Sequence, residues 1–135
     1  MTLRGQCLCG KAQYTLVGDP IATAICHCTN CQRQSGSAFS VNLMALEQQL
    51  TIEGELSGFR DQGDSGNPVV RKFCSAGGSQ IISVPEAMPG LVALKAGTLD
   101  EHSSVAPSLQ VFCGSKQSWL ELPGITAFEA NPPSG

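Results

Sequence analysis

Three cysteines fall within six residues, Cys26-His27-Cys28-Thr29-Asn30-Cys31, and a close pair, Cys7-Leu8-Cys9, lies upstream. Thiols this crowded bind a soft metal, pair as disulfides, or pack as small apolar residues. The spacing favours metal. The Cys28-to-Cys31 interval lets one turn wrap an ion, and the CxC step adds a third thiolate from the incoming chain. Zinc is the expected ion, being redox-inert and content with a sulfur-rich shell. Three thiolates without an obvious fourth local ligand describe a zinc site with an open position, the arrangement of reactive zinc. The alternative is a set of free or redox-active thiols. His27 lies between two candidate ligands, so its side chain is expected to project away from the ion, at the surface or behind the ligands.

Cys7 and Cys9 form a second set with the distant Cys74. Cys7-Leu8-Cys9-Gly10 reads as a thiol-presenting turn, and Phe73-Cys74-Ser75-Ala76-Gly77-Gly78 as half of a zinc knuckle whose second cysteine position is Gly77. Three thiolates stand where a closed structural site needs four. Water, an oxygen ligand or His102 would complete the shell, or the site stays metal-free, so one or two zinc ions are expected. Cys113, alone after Val111-Phe112, reads as a packed core residue. Trp119, the only tryptophan, reads as core packing near the C-terminus, with the lining of a substrate pocket as the second reading. Arg33, two positions after Cys31, either orients an acidic substrate, supports a zinc-bound thiolate or sits solvated at the surface, and Arg71 and Lys72 carry the same ambiguity. No nucleophile elbow and no phosphate-cradling glycine motif is present.

Short strands joined by turns must position these thiols. Ala12 to Val17, Ile21 to Ile25, Phe39 to Met44, Leu50 to Ile52, Leu56 to Arg60, Val69 to Phe73, Ile81 to Val84, Leu91 to Lys95 and Leu109 to Phe112 read as strands. Thr29 is the expected N-cap of a short helical turn ended by Ser35-Gly36. Asp61 to Pro68 reads as a polar, glycine-rich loop, and Ser115 to Trp119 as a tight turn or short helix. Fifteen glycines and eight prolines in 135 residues agree with many turns. The fold class is therefore all-β, in one domain over residues 1–130 with a frayed tail at 131–135.

Charge and length narrow the function classes. The net charge is −3 and no block of Lys and Arg occurs, which argues against nucleic acid as the main partner. No apolar run approaches the roughly 20 residues that span a bilayer, and the N-terminus lacks the apolar core of a secretory signal. A soluble, cytoplasmic protein is expected, and the odd count of seven cysteines agrees in disfavouring a secreted disulfide framework.

The ordered segments Gly5-Gln6-Cys7-Leu8-Cys9-Gly10, Cys26 through Phe39, Arg71-Lys72-Phe73-Cys74, Ala96 through Asp100 and Ser115 through Pro123 resemble the glutathione-dependent formaldehyde-activating enzyme family, which includes the centromere protein V type domain. The resemblance covers nearly the whole chain. It implies a β-tent fold of short antiparallel strands stapled by zinc. It implies Cys26, Cys28 and Cys31 as catalytic zinc ligands, and Cys7, Cys9 and Cys74 as three of four structural ligands, with Gly77 where the fourth is expected. The family's named activity is formation of S-(hydroxymethyl)glutathione from formaldehyde and glutathione.

Three readings of function follow. The first is a carbon–sulfur lyase-like enzyme acting on glutathione or a related thiol and a small aldehyde. Arg33, Arg60, Arg71 or Lys116 would then meet the carboxylates of glutathione. The second is a non-catalytic zinc-stabilised binding module, which a fourth protein ligand on the Cys26/Cys28/Cys31 site would favour. The third is a thiol redox or metal-handling protein centred on Cys7, Cys9 and Cys74.

Overall fold

A computed structural model describes residues 1–62 and 66–131. Eleven strands are present among them: β1 (Thr2–Gln6), β2 (Gln13–Val17), β3 (Ala22–Cys26), β4 (Ser40–Leu46), β5 (Leu50–Glu53), β6 (Leu56–Asp61), β7 (Val69–Cys74), β8 (Gln80–Pro85), β9 (Leu91–Lys95), β10 (Leu109–Val111) and β11 (Thr126–Ala127). One helix, α1 (Thr29–Ser35), follows β3. The protein is mostly β, as its turn-rich sequence implies. Strands β1-β2-β5 make a three-stranded sheet, and β11-β10-β3-β4-β9-β8-β7-β6 an eight-stranded one.

Most pairings are antiparallel, but β10 runs parallel to both β3 and β11. The expectation of antiparallel strands needs that correction. A parallel neighbour requires a long return connection, and the chain from β3 reaches β10 only after crossing the rest of the sheet. β1 and β11 had no counterpart among the expected strands. The alternation in β1 is carried by Leu3 and Gly5, and a glycine gives no apolar signal. Gly5 nonetheless belongs there, because it faces Tyr14 in register and a Cβ at residue 5 would collide with the tyrosine hydroxyl. That hydroxyl bonds Thr98 Oγ1 at 2.8 Å.

One cluster of buried side chains joins the two sheets, including Leu3, Tyr14 and Leu16 from the small sheet and Leu43, Ile82, Val92 and Leu94 from the large one. The other face of the large sheet is not left to water. In β9 every residue after Leu91 is buried, where a half-solvated strand would alternate. Residues opposite one another share a face, and the pairs Ala24–Asn42, Asn42–Lys95, Met44–Ala93, Ser83–Ala93 and Arg71–Ser83 lay out this second face strand by strand. It is polar at its centre and it forms the floor of a cavity. Of the expected polar loop at Asp61 to Pro68, residues 63–65 lie outside the described residues, as do residues 132–135 of the expected tail.

Candidate metal centre and its cavity

β3 delivers Cys26 at its end, Cys28 follows in the connection, and Cys31 sits in the first turn of α1. The cap of this helix is Cys28 rather than Thr29: its Sγ accepts a hydrogen bond from Cys31 N at 3.2 Å. A sulfur thus fills the role usually taken by a short oxygen side chain, so capping and ligand placement are one interaction. Gly36 ends the helix in the left-handed region at φ 66°, its N–H donating to Gln32 O at 2.9 Å.

The three sulfurs lie within 4.8 Å of one another. Thiolates at zinc–sulfur distance in a tetrahedron are about 3.8 Å apart, so the group fits a single ion after small adjustments. Among the described residues no fourth His, Cys, Asp or Glu joins it. Electrostatics favours one ready thiolate. Cys31 is held far below the ordinary thiol range, first by hydrogen bonds from Cys26 and Cys28 and then by the Ser40 hydroxyl and the charge of Lys95. Cys26 is pushed far up because it donates to both neighbours and is buried. Three negative sulfurs cannot coexist here without a cation.

A cavity of about 240 Å³ opens on these sulfurs. Its apolar wall includes Met44, Val69, Met88 and Val111, and its floor carries Asn42, Ser83, Arg71 and Lys95. Arg71, 4% exposed, donates to Asp61 Oδ2 at 2.6 Å and to Cys31 Sγ at 3.7 Å. Burial opposes its charge, but the Asp61 carboxylate and the Cys31 sulfur outweigh that and raise its pKa. Lys95 Nζ donates to Asn42 Oδ1 at 2.6 Å, and Asn42 Nδ2 donates to Ser40 Oγ at 3.0 Å. Burial lowers the lysine pKa, and the nearby sulfurs work against that loss. Neither Lys95 nor Ser83 was singled out from sequence. The available signal was a lysine closing the apolar run Leu91-Val92-Ala93-Leu94, which places an ammonium at the end of a strand buried on both faces.

Cys7, Cys9 and Cys74 also converge within 4.8 Å, with Cys9 and Cys74 sulfurs 3.7 Å apart. Lys11 N and Gly77 N each donate to a sulfur, Cys9 and Cys74 respectively, at 3.4 Å. The Ser79 hydroxyl lies 3.1 Å from Cys7 Sγ and is the main reason the Cys7 thiol is held down, to about 6. A Cβ at Gly77 would sit 2.6 Å from Cys7 Sγ and 2.8 Å from Cys9 Sγ, so residue 77 does face the cluster. His102 is exposed and is not part of this group.

Other expectations need correction. Of the two places expected for His27, the surface and behind the ligands, the surface is excluded: it is fully buried, with Nε2 2.9 Å from Gln110 Oε1 and its ring edge-on to Phe39. The amide of Gln110 is committed to the carbonyls of Leu122 and Ile125, so His27 must be the donor through Nε2. The ring thereby pins the cysteine-bearing connection to β10. Trp119 is 70% exposed rather than core, because Leu120 turns inward in its place. Cys113 is only half-buried, its Sγ 3.7 Å from Gln110 O. Arg33 is exposed and lines a separate hollow with Gln32, Ser37, Gln117 and Trp119. Arg60, Arg71 and Lys116 are paired with Glu86, Asp61 and Glu121. No helix among the described residues is long and apolar enough to cross a membrane.

Comparison with known proteins agrees with this geometry. A crystal structure of a Rhodobacter sphaeroides protein superposes with a TM-score of 0.58 at 16% identity, covering 93% of this chain and 98% of that one, a likeness of fold. Among curated proteins nothing matches the chain. The family described as glutathione-dependent formaldehyde-activating enzyme matches residues 2–115, which takes in both cysteine groups and the whole cavity floor. The chain belongs to that family.

Proposed function

We propose that Cys26, Cys28 and Cys31 hold a zinc ion with one position open to substrate, and that the protein is a carbon–sulfur lyase-like enzyme joining a thiol to a small aldehyde, or parting them. One observation carries this reading: the three sulfurs meet at the wall of a cavity with no fourth His, Cys, Asp or Glu among the described residues. Zinc bound there would supply a coordination position at which a substrate thiol loses its proton at neutral pH. Arg71, on the cavity floor, donates to Cys31 Sγ and so helps to position that sulfur. The apolar wall holds a small aldehyde against the thiol and excludes water. Glutathione, named by the family, is the thiol we assign, and of Arg33, Arg60, Arg71 and Lys116 we assign Arg33 to one of its carboxylates, as the one with no ion pair among the described residues.

The same reading makes Cys7, Cys9 and Cys74 a second, structural zinc site, completed by something other than residue 77. The unit that carries both sites is a single domain over residues 1–130. Seven free cysteines suit a reducing compartment such as the cytoplasm. Thiols add to formaldehyde unaided, so the test must exceed that background. Zinc per chain is measured on native protein, and the rate with formaldehyde and glutathione is compared with Cys28→Ser. The expected result is zinc at the triad and a rate that collapses to the unaided one in the variant. Equal rates reject the enzyme in favour of a binding module.

A further inference from the structure

Lys95 is 7% exposed and, among the described residues, pairs with no carboxylate. An ammonium has three N–H donors, and a single hydrogen bond, to Asn42, is made. Buried lysines are rare without a partner because their desolvation goes uncompensated. The three cysteines would supply part of the missing compensation, since as thiolates holding a divalent ion they would carry one net negative charge, and Arg71 is already matched by Asp61. The two remaining N–H groups still lack an acceptor among the described residues. Ser83 stands on the same floor, directly opposite Ala93 and therefore a diagonal neighbour of Lys95. It is 5% exposed and its hydroxyl has no hydrogen-bond partner among the described residues. Two unmet polar groups lie on the floor of the cavity that holds the three sulfurs.

We propose that Lys95, with Ser83 beside it, is the oxygen subsite of this centre and a catalytic residue of the reaction: its ammonium binds the carbonyl oxygen of the aldehyde and the hydroxyl oxygen of the adduct. This rests on the thiol–aldehyde reading above. As the S–C bond forms, the C=O π pair moves onto oxygen and the oxygen takes a proton from the ammonium. The proton shed by the thiol restores the ammonium through water, so RSH and R′CHO give RS–CH(OH)R′ with nothing oxidised or reduced. The reverse path releases aldehyde by returning that proton. Asn42 holds the ammonium in place and is itself held by Ser40, beside Cys31.

An isosteric pair of thiols tests this without turnover. 2-Mercaptoethanol and 1-propanethiol differ only in whether the terminal group is a hydroxyl or a methyl, and each is titrated into cobalt-substituted protein by its sulfur-to-cobalt absorption. A hydrogen bond to a charged donor makes the hydroxylated thiol favoured, and Lys95→Met is expected to lower the ratio of the two affinities by ~10-fold or more at unchanged metal content. Lys95→Gln gives the same answer should the methionine variant fold poorly. A ratio unchanged within about twofold overturns the subsite. So does an equal loss for both thiols, the signature of a lysine that merely balances the sulfur charge. Failure of wild-type protein to bind either thiol sinks the thiol–aldehyde reading itself, and the subsite with it. In turnover, both variants are expected to slow adduct formation and breakdown ~100-fold or more while metal content stays constant.

Discussion

Gly77 offers a sharp test of how the second cysteine group is packed. Gly77→Ala adds a Cβ that would lie 2.6 Å from Cys7 Sγ, 2.8 Å from Cys9 Sγ and 2.9 Å from Cys9 Cβ. Ordinary carbon–sulfur contact is about 3.5–4.0 Å, so the new methyl overlaps two sulfurs by roughly 1 Å. Neither neighbour yields easily. Cys7 is fully buried, and its turn is closed by Gly10 N to Cys7 O and Cys7 N to Ala12 O, both 2.9 Å. Overpacking of this kind costs about 1–3 kcal/mol. In a domain of this size that lowers Tm by roughly 4 °C per kcal/mol. The assay is urea unfolding of reduced, metal-free protein, with Gly97→Ala as control because a Cβ there meets nothing within 4 Å. The control is expected within about 0.5 kcal/mol of wild type. Should Gly77→Ala unfold at the same urea concentration as the control, the sulfurs do not crowd residue 77 and the geometric argument is wrong.

Gly77→Cys meets the same crowding in metal-free protein, yet with zinc it can close a four-thiolate shell, so zinc loss to a chelator should slow at that site; unchanged release would show that the sulfur cannot reach the ion. Cys9 and Cys74 sulfurs at 3.7 Å make that pair the first to cross-link when metal-free protein is oxidised, a loss of two hydrogens that peptide mapping assigns and bound metal suppresses. Tyr14 is the only tyrosine, so the near-ultraviolet phenolate band reports it alone. Burial pushes it up to about 12, and its midpoint should appear there in folded protein. The unfolded chain ionises near 10, so the unfolded state binds fewer protons between these values. Stability therefore falls as pH rises from about 10 to 12, by about 2–3 kcal/mol at most, and Tyr14→Phe should flatten that slope. Arg71→Met leaves the Asp61 carboxylate without its buried partner and should destabilise by about 3 kcal/mol, read as a lower urea midpoint.

Much of the strand framework was legible because apolar alternation and glycine punctuation are local signals. Leu91 to Lys95 coincides with β9, and the other expected strands differ from the observed ones by a residue or two at their ends. The short helix after Cys28 was legible too, although its cap turned out to be the thiol itself. Trp119 was misplaced because apolar character alone does not say which of Trp119 and Leu120 faces inward. His27 was placed away from the ion for a sound reason, alternation, which says nothing about whether that direction leads to water or to Gln110.

Covalent spacing decided the Cys26, Cys28 and Cys31 group and the Cys7–Cys9 pair, since residues two and three apart in a tight turn cannot separate their sulfurs far. Cys74 joined Cys7 and Cys9 only through the sheet, but its companion Gly77 already marked the place of a missing ligand. The cavity floor was decided by tertiary structure alone. Asn42, Ser83, Arg71 and Lys95 come from four strands and share a face only through cross-strand register, and a slip of one residue in any strand would turn its side chain away. Ligand spacing is written along the chain, whereas the surroundings of the ion are written across it.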